Sequence, residues 1–190
     1  MGFALEDGRK AGETLGAMAD FPISLNDVNR MAEDEFVATF GDVAEHSPWV
    51  AAEAADRRPY PSRAAMITAF VEAITHADHA SQRALLLAHP DLAGRAAVSG
   101  DLTRDSKNEQ KGAGLDTLTP DEFRRFTEQN TAYRERHGIP FIFAVRGATK
   151  HDIMQGYAAR IGNPPEVEFN TALEQVGRIV RFRLEDRVSA

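Results

Sequence analysis

His89 stands in the run Ala88-His89-Pro90-Asp91-Leu92, at the end of a stretch that reads as a helix. Imidazole exchanges a proton near neutral pH, its ordinary pKa being about 6.5, so His89 leads the candidates for acid–base chemistry. The plainer role for a histidine at that place is a helix-terminal ring bonded to a carbonyl. His76 and His79 are three residues apart, a ligand spacing, but nothing nearby completes a metal set. They read as surface residues, as do His46, His137 and His151. The run Ser106-Lys107-Asn108-Glu109-Gln110 brings hydroxyl, carboxylate and amide together at a helix start. The commoner meaning of Ser-x-x-Glu is a capping box, with Ser106 as N-cap and Glu109 at N3. A polar cluster beside the unpaired N–H groups of a helix N-terminus also suits an anionic or polar ligand.

Arg183 is the most informative charge. Phe169, Leu173, Val176 and Val180 form an apolar stripe on the last helical stretch, and at 100° per residue Arg183 falls within about 40° of Phe169. An unpaired guanidinium on that face is costly, so Arg183 needs a carboxylate partner. It serves either in an internal ion pair or as a clamp on a substrate anion or carbonyl. Arg187 lies on the same stripe and, so near the chain end, is expected to be solvated. Phe141-Ile142-Phe143-Ala144-Val145 is apolar with no second strand of comparable quality to pair with it. It reads as a buried extended connector whose N–H and C=O groups are also able to grip a planar, amide-rich ligand.

These residues have to be positioned by helices. Helix signals recur from residue 21 onward: Ser24 with Asp27 before Val28, Met31, Phe36 and Phe40; Ser47-Pro48 before Trp49; Ser62 before Met66, Phe70 and Ile74; and a stretch from Asp78 to Ala88. Pro90 disfavours α geometry at His89 and so sets the end of that last stretch. The clearest start is Leu118-Thr119-Pro120-Asp121-Glu122-Phe123, with Thr119 as N-cap, Pro120 at N1, Glu122 at N3 and a Leu118/Phe123 staple. That helix should close at Gly138. Thr149 with Asp152 opens another, and Asn163-Pro164-Pro165 opens the longest, reaching about Arg187. The expectation is an all-α, single-domain compact bundle of about eight helices with orthogonal packing, since no heptad persists. Residues 1–20 read as a loose N-terminal tail and 21–190 as the helical domain.

The 190 residues carry no cysteine, which removes disulfides, a thiolate nucleophile and thiolate metal sites. A net charge of −7 argues against a general nucleic-acid partner. No apolar run is long enough to span a bilayer, and the expected setting is soluble and cytoplasmic. No phosphate loop, dinucleotide fingerprint, serine nucleophile elbow or His-Glu-x-x-His motif is present. Hydrophobic residues make up 43%, enough to bury a core.

In order along the chain, the pieces Glu45-His46-Ser47-Pro48-Trp49, Arg58-Pro59, His89-Pro90-Asp91-Leu92, Ser106-x-x-Glu109-Gln110, Asn130-x-x-Tyr133, Gly138-Ile139-Pro140-Phe141 and Arg183-Leu184 resemble the OHCU decarboxylase family. That family acts on 2-oxo-4-hydroxy-4-carboxy-5-ureidoimidazoline (OHCU) in urate breakdown. The resemblance covers about residues 20–188, and each piece alone is weak. It implies a cofactor-free, all-helical carboxy-lyase, often a homodimer, that takes a small ureidoimidazoline and yields (S)-allantoin and CO₂. It implies His89 and Glu109 as catalytic groups. It assigns substrate contacts to Pro90, Ser106, Gln110, Arg183 and the backbone from Phe141 through Ile142, Phe143 and Ala144 to Val145. The rival readings are a helical scaffold without catalysis and a lyase acting on a related ureide. A scaffold has no reason to bring His89, Glu109 and Arg183 to one cleft.

Overall fold

The computed structural model describes residues 22–94 and 102–189. Nine helices lie among them: α1 (Leu25–Arg30), α2 (Glu33–Phe40), α3 (Trp49–Ala55), α4 (Arg63–His76), α5 (His79–Ala88), α6 (Arg104–Gly112), α7 (Pro120–His137), α8 (Lys150–Arg160) and α9 (Pro165–Arg187). The only β pairing among the described residues is an isolated parallel bridge between Ile23 and Val188, so the fold is all-α as expected. The expected tail, 1–20, lies outside the described residues.

Local sequence accounts for most helix starts. Side-chain oxygens of Ser24, Ser62, Asp78, Thr119 and Thr149 each accept a first-turn N–H. Thr119 and Glu122 complete a capping box, and Gly138 closes α7 in the left-handed region at φ 66°. Thr119→Ala removes an acceptor from an exposed helix start and should cost about 1 kcal/mol in urea unfolding, with activity unchanged.

Three details differ from the sequence reading. The stretch from Ser24 to Phe40 is two helices, parted at Met31, whose ψ of 141° is not helical. The Arg58 guanidinium donates to the Met31 carbonyl at 2.6 Å, a tertiary contact that helix periodicity cannot register. Ser106 is not the N-cap of α6. Thr103 takes that place and accepts the Ser106 N–H, which frees the Ser106 hydroxyl for a long-range partner. Arg187 is not solvated either: it is buried and paired with Asp42 and Asp105.

The core is built around α9, which packs on α4, α5 and α7. Its Ala172, Val176, Val180 and Leu184 are fully buried. Phe36, Phe40 and Phe70 form a tilted aromatic cluster with ring centroids 4.9 and 6.0 Å from Phe36. The Ile23 N–H donates to the Arg187 carbonyl at 2.8 Å, and the Ser189 N–H to the Ile23 carbonyl at 2.9 Å. These bonds fasten the last turn of α9, and with it Arg183, to the opposite end of the described chain.

Candidate active site

Pro90 ends α5 and holds His89 at φ −75°, ψ 136°, outside the helical region. The His89 ring turns back so that Nδ1 lies 2.8 Å from the Leu85 carbonyl. A carbonyl only accepts, so Nδ1 carries the proton and Nε2 holds a lone pair. Nε2 is buried with no hydrogen-bond partner. Burial holds the imidazole below its usual pKa, although the Leu85 carbonyl and the Glu45 charge pull the other way. His89 is therefore neutral at pH 7, with a bare acceptor nitrogen. α7 fixes the chain just beyond it: Asn130 donates to the Leu92 carbonyl at 2.9 Å, and Arg134 pairs with Asp91.

Arg183 reaches the same region from α9. Its Nε and Nη2 grip both oxygens of Glu109 at 2.8 Å, a two-point pair. Nη2 also meets Glu45 at 2.8 Å and the Ser106 oxygen at 3.0 Å, while one Nη1 hydrogen goes to the Val43 carbonyl. The Ser106 hydroxyl donates to Glu45. Burial alone would push the Glu45 carboxyl up; the Arg183 charge and the Ser106 hydroxyl outweigh it and hold Glu45 below the usual range. Glu45 is only 2% exposed and sits at a positive φ of 48°. Sequence reasoning does not reach Glu45 as a site residue, because it lies in a loop, where no periodicity marks a face. The signal that could have found it was the need of Arg183 for a buried carboxylate.

The segment from Phe141 to Val145 is neither helix nor paired strand, and it is largely buried, as its apolar character implied. The Ile142 carbonyl accepts from Arg160 at 2.7 Å, and the Ala144 N–H donates to Gln175 at 3.0 Å. A small cavity of about 30 Å³ lies between this segment and His89. His89, Pro90, Ser106, Glu109, Gln110, Phe141, Ile142, Phe143, Val145 and Arg183 all line it. Ala144 alone of the expected site residues does not. Glu45, Leu92 and Ile179 join the lining without having been expected. A wider chamber of about 270 Å³ shares Glu109, Val145 and Arg183 as its wall. The recess holds about one water-sized group, while the chamber is near the lower end of small-molecule sites, about 300 Å³.

Gly156 of α8 lets the helix lie on this wall: a Cβ there would stand 2.6 Å from the Phe143 ring. Gly156→Ala should displace that ring and lower activity severalfold despite the better helix propensity of alanine, a change read by steady-state kinetics. Among the described residues, no group of three His, Asp or Glu is placed to hold a metal ion, and no helix is long and apolar enough to cross a membrane.

The sequence model of OHCU decarboxylase matches residues 29–185. The chain belongs to the OHCU decarboxylase family. It is 38% identical over 168 residues to the 2-oxo-4-hydroxy-4-carboxy-5-ureidoimidazoline decarboxylase of Haloferax volcanii, covering 88% of this chain and 98% of that protein. It is 37% identical over 164 residues to the enzyme of the same name from Amia calva, covering 86% of this chain and 94% of that one. Among solved structures it resembles a crystal structure of (S)-allantoin synthase, with a TM-score of 0.69 and 30% identity, covering 86% of this chain and 53% of that one. The chain thus spans about half of that structure and nearly all of the two OHCU decarboxylases.

Proposed function

We propose that this protein is a carboxy-lyase that converts 2-oxo-4-hydroxy-4-carboxy-5-ureidoimidazoline to (S)-allantoin and CO₂ in urate breakdown, with residues 21–190 as its catalytic domain. The observation that carries the reading is the unpartnered Nε2 of His89, a residue that shares the wall of one recess with Glu109 and Arg183. His137 Nδ1 is also buried and unpartnered, so the nitrogen alone does not decide; a scaffold has no use for bringing such a nitrogen, Glu109 and Arg183 to one recess.

The chemistry fits these groups. As the bond from C4 to the carboxylate breaks, its electron pair moves toward C5 and the adjoining imine nitrogen takes up a proton from solvent, the one proton the decarboxylation consumes. The ring is its own electron sink. What remains is an enol: its hydroxyl must lose a proton, and C5 must gain one on a single face. Neutral His89, with Nδ1–H fixed on Leu85, accepts the hydroxyl proton at Nε2 and returns one to C5. Glu109 is held by Arg183 in one orientation and presents its carboxylate to the ureido N–H groups. The second Nη1 hydrogen of Arg183, the Gln110 amide and the backbone from Phe141 to Val145 remain to bind ring and ureido carbonyls, while Pro90 and Ser106 complete the wall. The Ala144 N–H already serves Gln175, so in this scheme Ala144 contributes shape.

The substrate is made in situ from urate with urate oxidase and hydroxyisourate hydrolase, and circular dichroism follows the product. Spontaneous decay gives racemic allantoin, so added protein should produce an optical signal of one sign. Its absence sinks the reading. The further expectation of a homodimer rests on the family resemblance, and that of a cytoplasmic setting on the sequence; light scattering of the purified protein checks the first and cell fractionation the second.

A further inference from the structure

Behind the cavity wall, away from His89, lies a second buried charge cluster. Glu168, on the first turns of α9, is fully buried. It accepts from Arg160 at 2.5 and 3.0 Å, from Asn163 at 2.8 Å and from the Tyr133 hydroxyl. Burial works against both charges, pushing the Glu168 carboxyl up to about 7 and the Arg160 guanidinium down to about 10, so each needs the other. Arg160 also lies over the Phe141 ring at 4.7 Å and donates to the Ile142 carbonyl at 2.7 Å.

The last bond has a directional consequence. Peptide units are planar, and in a trans unit the C=O and the following N–H point in opposite directions. The one cis peptide among the described residues is Arg58–Pro59, so the units around Phe143 are trans. Arg160 draws the Ile142 carbonyl to its own side, and the Phe143 N–H must therefore point away from Arg160. Gln175 draws the Ala144 N–H in the same manner, which turns the Phe143 carbonyl away from Gln175. No described acceptor takes the Phe143 N–H. Phe143 lines the His89 recess, whereas Arg160 and Gln175 do not.

Building on the decarboxylase reading, we propose that Arg160, locked by Glu168 and Tyr133, is a positioning residue that turns the Phe143 N–H into the recess as a hydrogen-bond donor for a substrate carbonyl. Arg160 never touches the substrate. It fixes one peptide plane, and Glu168 fixes Arg160.

Amide spectra, kinetics and thermal melts test this. In amide spectra of the ¹⁵N-labelled wild-type protein, (S)-allantoin should shift the Phe143 N–H downfield, as a new acceptor requires. Arg160→Ala should lower kcat/KM about a hundredfold, the usual scale for a displaced binding group. Guanidinium ion, at concentrations far below those that denature, should restore part of the rate, since the Arg160 side chain is 11% exposed and alanine opens its place to solvent. Arg160→Met combined with Glu168→Gln leaves no buried charge alone; it should recover most of the melting temperature lost in Arg160→Ala and stay slow. A Phe143 amide that (S)-allantoin leaves unmoved in an active wild-type protein overturns the proposal. So does a double variant with wild-type kcat/KM. An inactive wild-type protein instead removes the decarboxylase reading beneath it.

Discussion

Replacing His89 with alanine lowers kcat by about 10²–10⁴-fold, the range for loss of a positioned acid–base group. Asparagine at the same position is the sharper test. Its amide nitrogen takes the place of Nδ1 and still donates to the Leu85 carbonyl, but nothing replaces Nε2. His89→Asn should therefore unfold near the wild-type temperature and lose activity as fully as His89→Ala. Equal loss with unequal stability separates the base from the helix cap. The pH profile gives the sign of the proton transfer. Burial holds the folded pKa of His89 below 6.5, so the basic form persists through neutrality and protonation of His89 lowers kcat/KM only on the acid side, below pH 6.5. An activity that instead rose on acidification through this range would make His89 a proton donor from its charged form and contradict the assignment. Stability follows the same group. A depressed folded pKa contributes stability that is present above pH 6.5 and lost as pH falls through the folded value, because the unfolded chain binds the proton more readily. His89→Asn should remove that part of the acid sensitivity.

Much of this arrangement could be read from the sequence, for reasons that are local. Pro90 dictates where α5 stops, and the stop places His89 at a helix end with its ring free to turn back on Leu85. Thr119, Pro120 and Glu122 mark the start of α7 within one turn of chain, as Thr149 and Asp152 do for α8. The inward direction of Arg183 follows from period alone, because a helix 23 residues long keeps its phase. The readings that missed all turn on partners distant in sequence. Ser106 has the local form of an N-cap, yet Thr103 three residues earlier also fits, and the choice is made by Glu45, 61 residues away. Arg187 looks like a terminal charge until Asp42 and Asp105 are brought beside it. Met31 breaks a regular helical pattern because its carbonyl meets Arg58, 27 residues on. Arg160, Glu168 and Gln175 carry no motif of their own, and their roles appear only when two helices and a connector are folded against one another.

Arg183 binds substrate in the proposed scheme, but its larger measurable effect should be on stability. Both it and Glu45 have side chains only 2% exposed, so water does little to relieve either charge if its partner is removed. Arg183→Met keeps the length and the apolar stem and deletes the charge. It leaves Glu45 buried opposite Ser106 with no cation, and it should cost about 3–5 kcal/mol in urea unfolding. Glu45→Gln leaves the reverse imbalance, a smaller one, because Arg183 keeps Glu109. The double variant Arg183→Met with Glu45→Gln should then be more stable than the sum of the two single losses implies, by at least about 1 kcal/mol, since no charge is left alone. Strict additivity would show that the two residues do not act as a unit. Glu109 should behave differently. Its side chain is 19% exposed, and glutamine keeps a bond to Arg183, so Glu109→Gln should lower kcat far more than it lowers stability. The cluster thus divides by burial: its inner carboxylate, Glu45, holds the fold around Arg183, and its outer one, Glu109, is in the proposed scheme held by Arg183 for the substrate.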